Sequence, residues 1–238
     1  MSLADMIARR RSVRAYVNMP LDAATKEDIL SYLDTVRPLF PSIDFRAEFI
    51  PREKARCTIP MPWLPQDALA FYAEDSIPSR MNAGFLLATL DLRLQEAGLG
   101  ACWLGVGRPV DGGSCDGLPF LTMMAVGYPD AVPTRTSATD FNRKPPSEIA
   151  DEADARLEPA RLAPSAMNAQ PWYFTHERDH YHLYCATRRS RALRGLAHLD
   201  MGIALAHLAA ANPQSFACFG ARILRTVPGH EYIASFRI

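Results

Sequence analysis

One stretch of the sequence constrains the fold more than any other: NAGFLLATLDLRLQEA, which runs from Asn82 to Ala97. Apolar residues recur in it at helical spacing, and in its first half they occupy nearly every side of the predicted helix. A helix that is apolar all round must be enclosed by other elements. Gly98 follows directly, and glycine commonly ends helices because it adopts a left-handed backbone without steric penalty. The sequence therefore predicts a buried central helix over residues 82–97.

A second stretch near the C-terminus has the same character: DMGIALAHLAAA, from Asp200 to Ala211. Residues 82–90 align with residues 200–208, with a glycine at the third position of each. A Pro-Ser pair also precedes a predicted strand in each half, at residues 41–42 and 164–165. We interpret this pattern as a diverged internal duplication, in which two α+β halves pack through their small-residue helices. Chance similarity between two apolar helices is the alternative.

The remaining elements are predicted from periodicity and from the positions of Pro and Gly. The predicted helices are 3–10, a helix from Asp22 or Thr25 to about residue 36, and 145–162, which is disturbed at Pro159. The predicted strands are 44–50, a short strand that enters a glycine-rich loop at 99–107, 120–129, the pair 171–177 and 180–186, and 221–227 and 231–238. Residues 51–65 are predicted to form a loop. We divide the chain into a first half over 1–130, a linker over 131–145 and a second half over 146–238, forming one compact unit.

Composition excludes some classes of function. The 26 basic and 26 acidic residues cancel, which gives no electrostatic reason to expect nucleic acid or an anionic membrane as a partner. The cysteine count is odd and no C-x-x-C pair occurs, so free thiols in a reducing compartment are expected. No apolar run is long enough to span a bilayer. These features predict a soluble cytoplasmic protein.

A cationic cluster lies near the N-terminus, where Arg9, Arg10 and Arg11 are followed by Ser12, Val13 and Arg14. Guanidinium groups donate paired hydrogen bonds that fit phosphate, and a serine hydroxyl adds another donor. Arg143 and Lys144, just before a predicted helix, could add positive charge. A solvated helix end, where arginines complement the helix dipole, explains the same spacing equally well.

A rigid polar bend, RLAPSAMNAQPW, occupies residues 161–172. Ser165, Asn168 and Gln170 offer hydrogen-bonding groups, and Pro164 and Pro171 stiffen the path between them. Such a segment suits the edge of a flat heteroaromatic ring. It also suits an ordinary connection from helix to strand with Trp172 in the core.

A glycine-rich segment, GLGACWLG, covers residues 98–105. Its small residues would let the backbone approach a ligand closely. It is not a dinucleotide-binding fingerprint, because it follows a helix and enters a strand.

Together these motifs resemble the FMN-dependent nitroreductase family. The resemblance is carried by R-R-S-V-R-x-[FY] near the N-terminus, by A-P-S-x-x-N-x-Q-P-W, by G-L-G-A-C-W, and by G-Y-P followed by R-K-P-x-x-E-I. The order differs from the common pattern, since A-P-S-x-x-N-x-Q-P-W here follows G-Y-P. That order resembles a subgroup in which one chain mimics the usual homodimer. The resemblance implies a nitroreductase-like α+β fold, an intramolecular pseudo-dimer, and a single chain that is a monomer or a weak homodimer.

The resemblance also implies one complete FMN site between the halves and one lost site, since residues 40–44 lack the asparagine of the motif. The residues it assigns to FMN are Arg10, Arg11, Ser12, Arg14, Gly100, Cys102, Trp103, Leu104, Gly105, Arg143, Pro164, Ser165 and Asn168. The implied activity is electron transfer from NAD(P)H through the flavin to a small oxidised substrate such as a nitroaromatic or a quinone. No side chain is assigned as a catalytic acid or base.

Three further interpretations concern the function, a metal site and Cys102. A flavin-binding carrier or sensor without turnover is the alternative function, with the loop at 51–65 and its Trp63 covering the site. A zinc site at His176, His180 and His182 with Cys185 is disfavoured because the ligand spacing is wrong, and no metal is expected. Cys102 lies in an apolar strand, where an inert core thiol is the better interpretation.

Overall fold

The structure, a computed structural model, describes residues 2–131, 135–220 and 225–238. Its helices are α1 (Leu3–Ile7), α2 (Ala23–Thr35), α3 (Ile77–Glu96), α4 (Pro146–Ile149), α5 (Glu158–Leu162) and α6 (Arg191–Ala211). Its strands are β1 (Arg46–Pro51), β2 (Ala55–Cys57), β3 (Asp67–Tyr72), β4 (Gly100–Trp103), β5 (Gly107–Pro109), β6 (Ser114–Cys115), β7 (Leu118–Gly127), β8 (Trp172–Glu177), β9 (His180–Ala186), β10 (Ala217–Phe219) and β11 (His230–Arg237).

Two antiparallel sheets form the framework. The first follows the order β1-β3-β7-β4, with β6 paired to β7, and the second follows β10-β11-β9-β8. Helix α3 packs on the first sheet and α6 on the second, each through a separate apolar cluster. Within the described residues, no helix has both the length and the apolar character needed to cross a bilayer.

The two sheets share one connectivity. When β2, β5 and β6 are set aside, the strands of each half lie in the order first, second, fourth, third, from β1 in one sheet and from β8 in the other. In both halves the long helix, α3 or α6, comes between the second strand and the third.

The contact between α3 and α6 is reciprocal. A Cβ placed on Gly84 would lie 2.1 Å from the carbonyl oxygen of Leu199, and one on Gly202 would lie 2.1 Å from the carbonyl oxygen of Met81. Gly84 and Gly202 are the aligned glycines of the two stretches. Met81 and Leu199 also correspond, because each lies three residues before its glycine. Only glycine allows the two backbones to approach this closely.

Several predicted elements are confirmed. Asp22 caps α2, with its Oδ1 accepting a hydrogen bond from the Thr25 amide over 2.7 Å. The strand pair at 171–177 and 180–186 forms the hairpin of β8 and β9. Gly98 has a φ of 78° immediately after the end of α3, as expected of a helix-terminating glycine.

Other predictions were wrong in extent. Helix α1 ends at Ile7, so Arg9 and Arg10 lie outside it, and α6 begins at Arg191, nine residues before the predicted start. The predicted helix over 145–162 is two short helices, because Pro159 sits in the first turn of α5 and the backbone before it turns away. Strands β3 and β10 were not predicted. In the predicted strand at 221–227, residues 221–224 lie outside the described residues and 225–227 are not in a strand.

Candidate cofactor site

The N-terminal segment folds back along β4, where the Val13 amide donates to the Ala101 carbonyl over 2.9 Å. Arg10 is only 2% exposed, and its Nη1 lies 2.6 Å from Oδ2 of Asp91 in α3. Burial raises the pKa of the Asp91 carboxyl, and the Arg10 guanidinium opposes that rise. Arg10, predicted to face a phosphate, is therefore turned inward to a carboxylate.

The neighbours of Arg10 remain at the surface. Arg11 and Arg14 are exposed, and Ser12 is half-buried with its Oγ accepting from Arg10 Nη2 over 3.3 Å. The Arg11 backbone is held by Gln95, which donates to the Arg11 carbonyl over 3.1 Å. Two guanidiniums and a hydroxyl thus stand beside a fixed backbone and are available to a ligand.

Arg135 joins this surface, although sequence reasoning placed it in a linker. Its Nη1 donates to the Arg10 carbonyl, and its guanidinium lies 3.9 Å from the centroid of the Phe141 ring. The Arg143 guanidinium lies 5.4 Å from the same ring. Phe141 therefore serves as a platform that orients two cations beside the N-terminal segment.

Arg143 connects this cationic group to the polar bend. Its Nη1 donates to Oδ1 of Asn168 over 2.8 Å, and its Nη2 donates to the Leu162 carbonyl over 3.1 Å. Burial lowers the pKa of Arg143 to about 10, and repulsion from Arg10, Arg135 and Arg161 adds to that effect. The predicted phosphate-binding and ring-binding segments therefore meet at Arg143.

The bend is more self-contained than the sequence suggests. Oγ of Ser165 accepts from the Gln170 amide over 2.9 Å, and Oε1 of Gln170 accepts from the Lys144 amide over 2.8 Å. Nδ2 of Asn168 donates to the Asn142 carbonyl over 2.9 Å. The amide groups predicted to face a ring are thus engaged by the protein's own chain. Trp172 is buried in the core, as the alternative interpretation of this segment expected.

The backbone of the bend is strained. Met167, Asn168 and Gln170 have φ values of 53°, 54° and 45°, which are costly for residues other than glycine. Pro164 is buried, and Asp200 in α6 accepts a hydrogen bond from the Ala166 amide over 3.0 Å. Strain of this kind is concentrated at functional sites, where the surrounding structure holds it in place.

The glycine-rich segment divides into a buried part and an exposed part. Cys102 and Leu104 are core residues, and burial raises the pKa of the Cys102 thiol, as expected of an inert one. A Cβ on Gly100 would lie 2.7 Å from the Val13 side chain, so this glycine is required by packing. Trp103 is half-buried, and its indole Nε1 has no hydrogen-bond partner among the described residues.

Gly105 brings the glycine-rich segment near the bend. It is exposed, and a Cβ there would lie 3.4 Å from the side chain of Leu196 in α6. Leu196 also lines a cavity of about 60 Å³ together with Ala166 and Met167 of the bend. This cavity is far smaller than the roughly 300–1,000 Å³ of typical ligand pockets. The cavity lies where the glycine-rich segment, the bend and α6 meet, and it is too small to hold a flavin ring.

The cationic end of the site fits a phosphate group. Arg10 is paired with Asp91 and Arg161 with Glu158, the latter over 2.6 Å. Neither Arg135 nor Arg143 forms an ion pair within the described part of the chain, although the Asp140 carboxylate partly opposes the fall in the pKa of Arg135 that burial causes. Nε of Arg143 is buried and has no hydrogen-bond partner among the described residues. An excess of positive charge with a buried unused donor is the environment that a dianionic phosphate ester would stabilise.

A buried histidine, which sequence reasoning missed, lies within electrostatic reach of the same cluster. His207 in α6 is fully buried, and its Nδ1 lies 3.1 Å from the Ile203 carbonyl. Its Nε2 has no hydrogen-bond partner in the part of the chain that the structure describes. Burial lowers the pKa of His207 to about 3, with Arg10 and Arg143 contributing. Its position in an apolar helix gave no sequence signal, since an isolated histidine there is usually a core residue.

Comparison with known families identifies the chain. A family described as "Putative TM nitroreductase" matches residues 2–212. The chain belongs to this nitroreductase family. A search of curated proteins finds no match.

Solved structures of nitroreductases are also similar to this chain. A protein described as a putative nitroreductase from Thermotoga maritima shares 18% identity, with 99% of this chain and 92% of that chain covered and a TM-score of 0.65. An FMN-dependent nitroreductase from Clostridium difficile shares 17% identity over 58% of this chain and 93% of that chain, with a TM-score of 0.46. The likeness to the Thermotoga maritima protein shows that the α+β fold is nitroreductase-like.

Proposed function

We propose that this nitroreductase-family protein binds FMN at the surface where the N-terminal segment meets the bend. There it would pass electrons from NAD(P)H to a small oxidised substrate such as a nitroaromatic or a quinone. The observation that carries the proposal is the hydrogen bond from Arg143 to Asn168, with Arg10 and Arg135 beside it. Solved relatives with FMN and NADPH in their descriptions are consistent with this cofactor pair.

The proposal assigns distinct tasks to the side chains. Arg135, Arg143, Arg11, Arg14 and Ser12 would hold the phosphate, since they supply charge and donors at one surface. Arg10 would act through its carbonyl and its ion pair with Asp91, which fix the backbone that presents Ser12. When bound, FMN would supply the hydride and electron transfer that amino-acid side chains cannot provide.

Binding of the flavin ring would require the bend to move. Asn168 and Ser165 can contact a ring only if the bend exchanges some of its internal hydrogen bonds for ligand contacts. The positive φ values of Met167, Asn168 and Gln170 favour such a change, because they store backbone strain. Gly105 and Trp103 would line the other side. No residue is proposed as an acid or base.

We also propose that the chain is an internally duplicated pseudo-dimer, with halves over 1–130 and 146–238. Three features support this: the common strand order, the reciprocal glycine contacts, and a shared anchor between loop and helix. The anchor is Oδ1 of Asn82, which accepts from the Phe40 amide over 2.9 Å, as Oδ1 of Asp200 accepts from Ala166. One complete site, a monomer or weak homodimer, and a cytoplasmic location without nucleic-acid or membrane partners belong to the same proposal.

A flavin carrier or sensor without turnover is a second candidate. Trp63, in the segment between β2 and β3, stacks on Tyr16 with ring centroids 6.5 Å apart. Trp63 thus packs on the N-terminal segment, and the internally bonded amides of the bend favour a site whose ring end is closed to substrates.

One experiment separates these functions. The purified protein is mixed with FMN, desalted, and its absorption spectrum recorded anaerobically before and after addition of NADH or NADPH. Retained flavin that is bleached by one nucleotide and reoxidised by a quinone or nitroaromatic supports the reductase. Retained flavin that neither nucleotide bleaches supports the carrier. Protein that retains no flavin would refute both.

A further inference from the structure

A second cluster of reactive side chains lies between the second sheet and α6. Cys185 in β9, His198 in α6 and Glu231 in β11 place one potential ligand atom each within 4.8 Å of one another. From the sequence alone, Cys185 would be grouped with the three histidines of the hairpin, His176, His180 and His182. In the structure His180 and His182 point to the opposite face of β9 from Cys185, because their positions differ by an odd number of residues.

The topology explains the convergence. Cys185 and Glu231 are directly paired positions on the antiparallel strands β9 and β11, so their side chains stand side by side on one face of the sheet. Helix α6 covers that face and places His198 over the pair, with Nε2 of His198 2.7 Å from Oε1 of Glu231. Three elements that are distant in sequence thus contribute one ligand each.

The chemistry of the three groups is that of a zinc site. Thiolate, imidazole and carboxylate are the three side-chain ligands that Zn²⁺ accepts, and sites with three protein ligands leave a fourth position for water. Cys185 and His198 are buried, whereas the Glu231 side chain is 34% exposed and gives solvent a route to the site. Burial raises the pKa of the Cys185 thiol, Glu231 and Asp200 add to that rise and Arg188 opposes it, so the thiol holds its proton until a metal ion displaces it.

We propose that Cys185, His198 and Glu231 bind one Zn²⁺ ion, separately from the flavin site. Binding would displace the thiol proton of Cys185 and the hydrogen bond between His198 and Glu231, replacing both with metal–ligand bonds. The ion would join β9, β11 and α6, and so stabilise the helix whose Asp200 anchors the bend.

The test measures metal retention directly. The chain is treated with a chelator, exchanged into Zn²⁺, desalted, and its zinc content determined by atomic emission. About one equivalent of zinc per chain is expected in the natural sequence. The zinc content of Cys185→Ser and of Glu231→Gln should be at least tenfold lower. Matched controls are Cys218→Ser on β10 and His182→Ala on the opposite face of β9, both of which should retain zinc.

Co²⁺ provides a second readout on flavin-free protein. A thiolate-to-cobalt charge-transfer band should appear in the natural sequence and in both controls, and should be absent from Cys185→Ser. If circular dichroism shows that Cys185→Ser does not fold, the partly exposed Glu231→Gln decides the question. The proposal is overturned if the natural sequence retains no zinc, or if the cluster variants bind it as tightly as the controls. FMN content measured on the same samples keeps this result separate from the flavin proposal.

Discussion

Arg143 and Asn168, 25 positions apart, share a hydrogen bond of 2.8 Å from Nη1 to Oδ1. This bond joins the segment that follows the first sheet to the bend that precedes the second. Among residues 2–131, 135–220 and 225–238, Nε of Arg143 finds no hydrogen-bond partner, although it is buried next to a cluster of further guanidiniums. The hydrogen bond from Arg143 to Asn168 holds the bend in place and leaves the positive charge of the arginines uncompensated. Such a surface is suited to binding an anion.

Replacing Arg143 with Ala is expected to weaken FMN binding by roughly ten- to a hundredfold. A hydrogen bond to a charged group contributes roughly 1.5–3 kcal/mol, and about 1.4 kcal/mol corresponds to a factor of ten. Quenching of FMN fluorescence on titration measures the affinity. Arg156→Ala is the matched control, because Arg156 is exposed and pairs with Asp154 away from this surface. Equal affinity in Arg143→Ala and the control would remove Arg143 from the site.

Replacing Asn168 with Ala should have a smaller effect than replacing Arg143. A neutral hydrogen bond contributes about 0.5–1.5 kcal/mol net, so FMN affinity should fall by roughly tenfold or less. The same titration provides the comparison. A loss larger than that of Arg143→Ala would mean that the bend, and not the cationic group, dominates binding.

The buried pair of Arg10 and Asp91 predicts a stability effect that the sequence alone did not suggest. Arg10→Ala or Asp91→Ala should each lower the free energy of unfolding by roughly 3–5 kcal/mol, because either change leaves one buried charge uncompensated. Joint replacement by Met and Leu should recover most of that loss. Urea denaturation measures all three, with exposed Arg14→Ala as the control. Single variants within about 0.5 kcal/mol of the natural sequence would contradict the pairing.

The sequence predicted the elements with strong periodicity and missed those that depend on tertiary contacts. Helix α3 and the hairpin of β8 and β9 were found because an apolar stripe and a turn identify them locally. Strand β3 was missed because all six of its residues are buried, so no alternation of polar and apolar residues marks it.

In the candidate site too, local sequence motifs could be identified, whereas contacts between distant residues could not. Its motif residues were identified by resemblance, but the inward turn of Arg10 depends on Asp91, which lies 81 positions away. Arg135 stands in a segment that reads as a linker, and only the fold brings it onto Phe141 and beside Arg10. Charge pairing across such separations is not encoded in any local pattern.

The close approach of α3 and α6 predicts that both aligned glycines are needed. Gly84→Ala and Gly202→Ala should each destabilise the protein by roughly 1–3 kcal/mol. The added methyl would meet a backbone carbonyl oxygen that cannot move independently, and this outweighs the gain of about 1 kcal/mol in helix propensity. Thermal and urea unfolding measure the change. Gly220→Ala is the control, because no atom of the described residues lies within 4 Å of the added Cβ. A stabilising effect at either helix position would contradict the reciprocal contact.

His207 predicts a pH dependence of stability. Its pKa is about 3 in the folded protein against an ordinary 6.5, because burial and the nearby Arg10 and Arg143 disfavour its charged form. The unfolded chain therefore binds one more proton between these values, so folding stability falls as the pH drops from 6.5 towards 3. At pH 5 the loss attributable to His207 is about 2 kcal/mol relative to pH 7. His207→Leu should remove that part of the acid sensitivity. Urea denaturation at pH 7 and pH 5 measures the difference, and the same loss in both proteins would show that His207 does not control it.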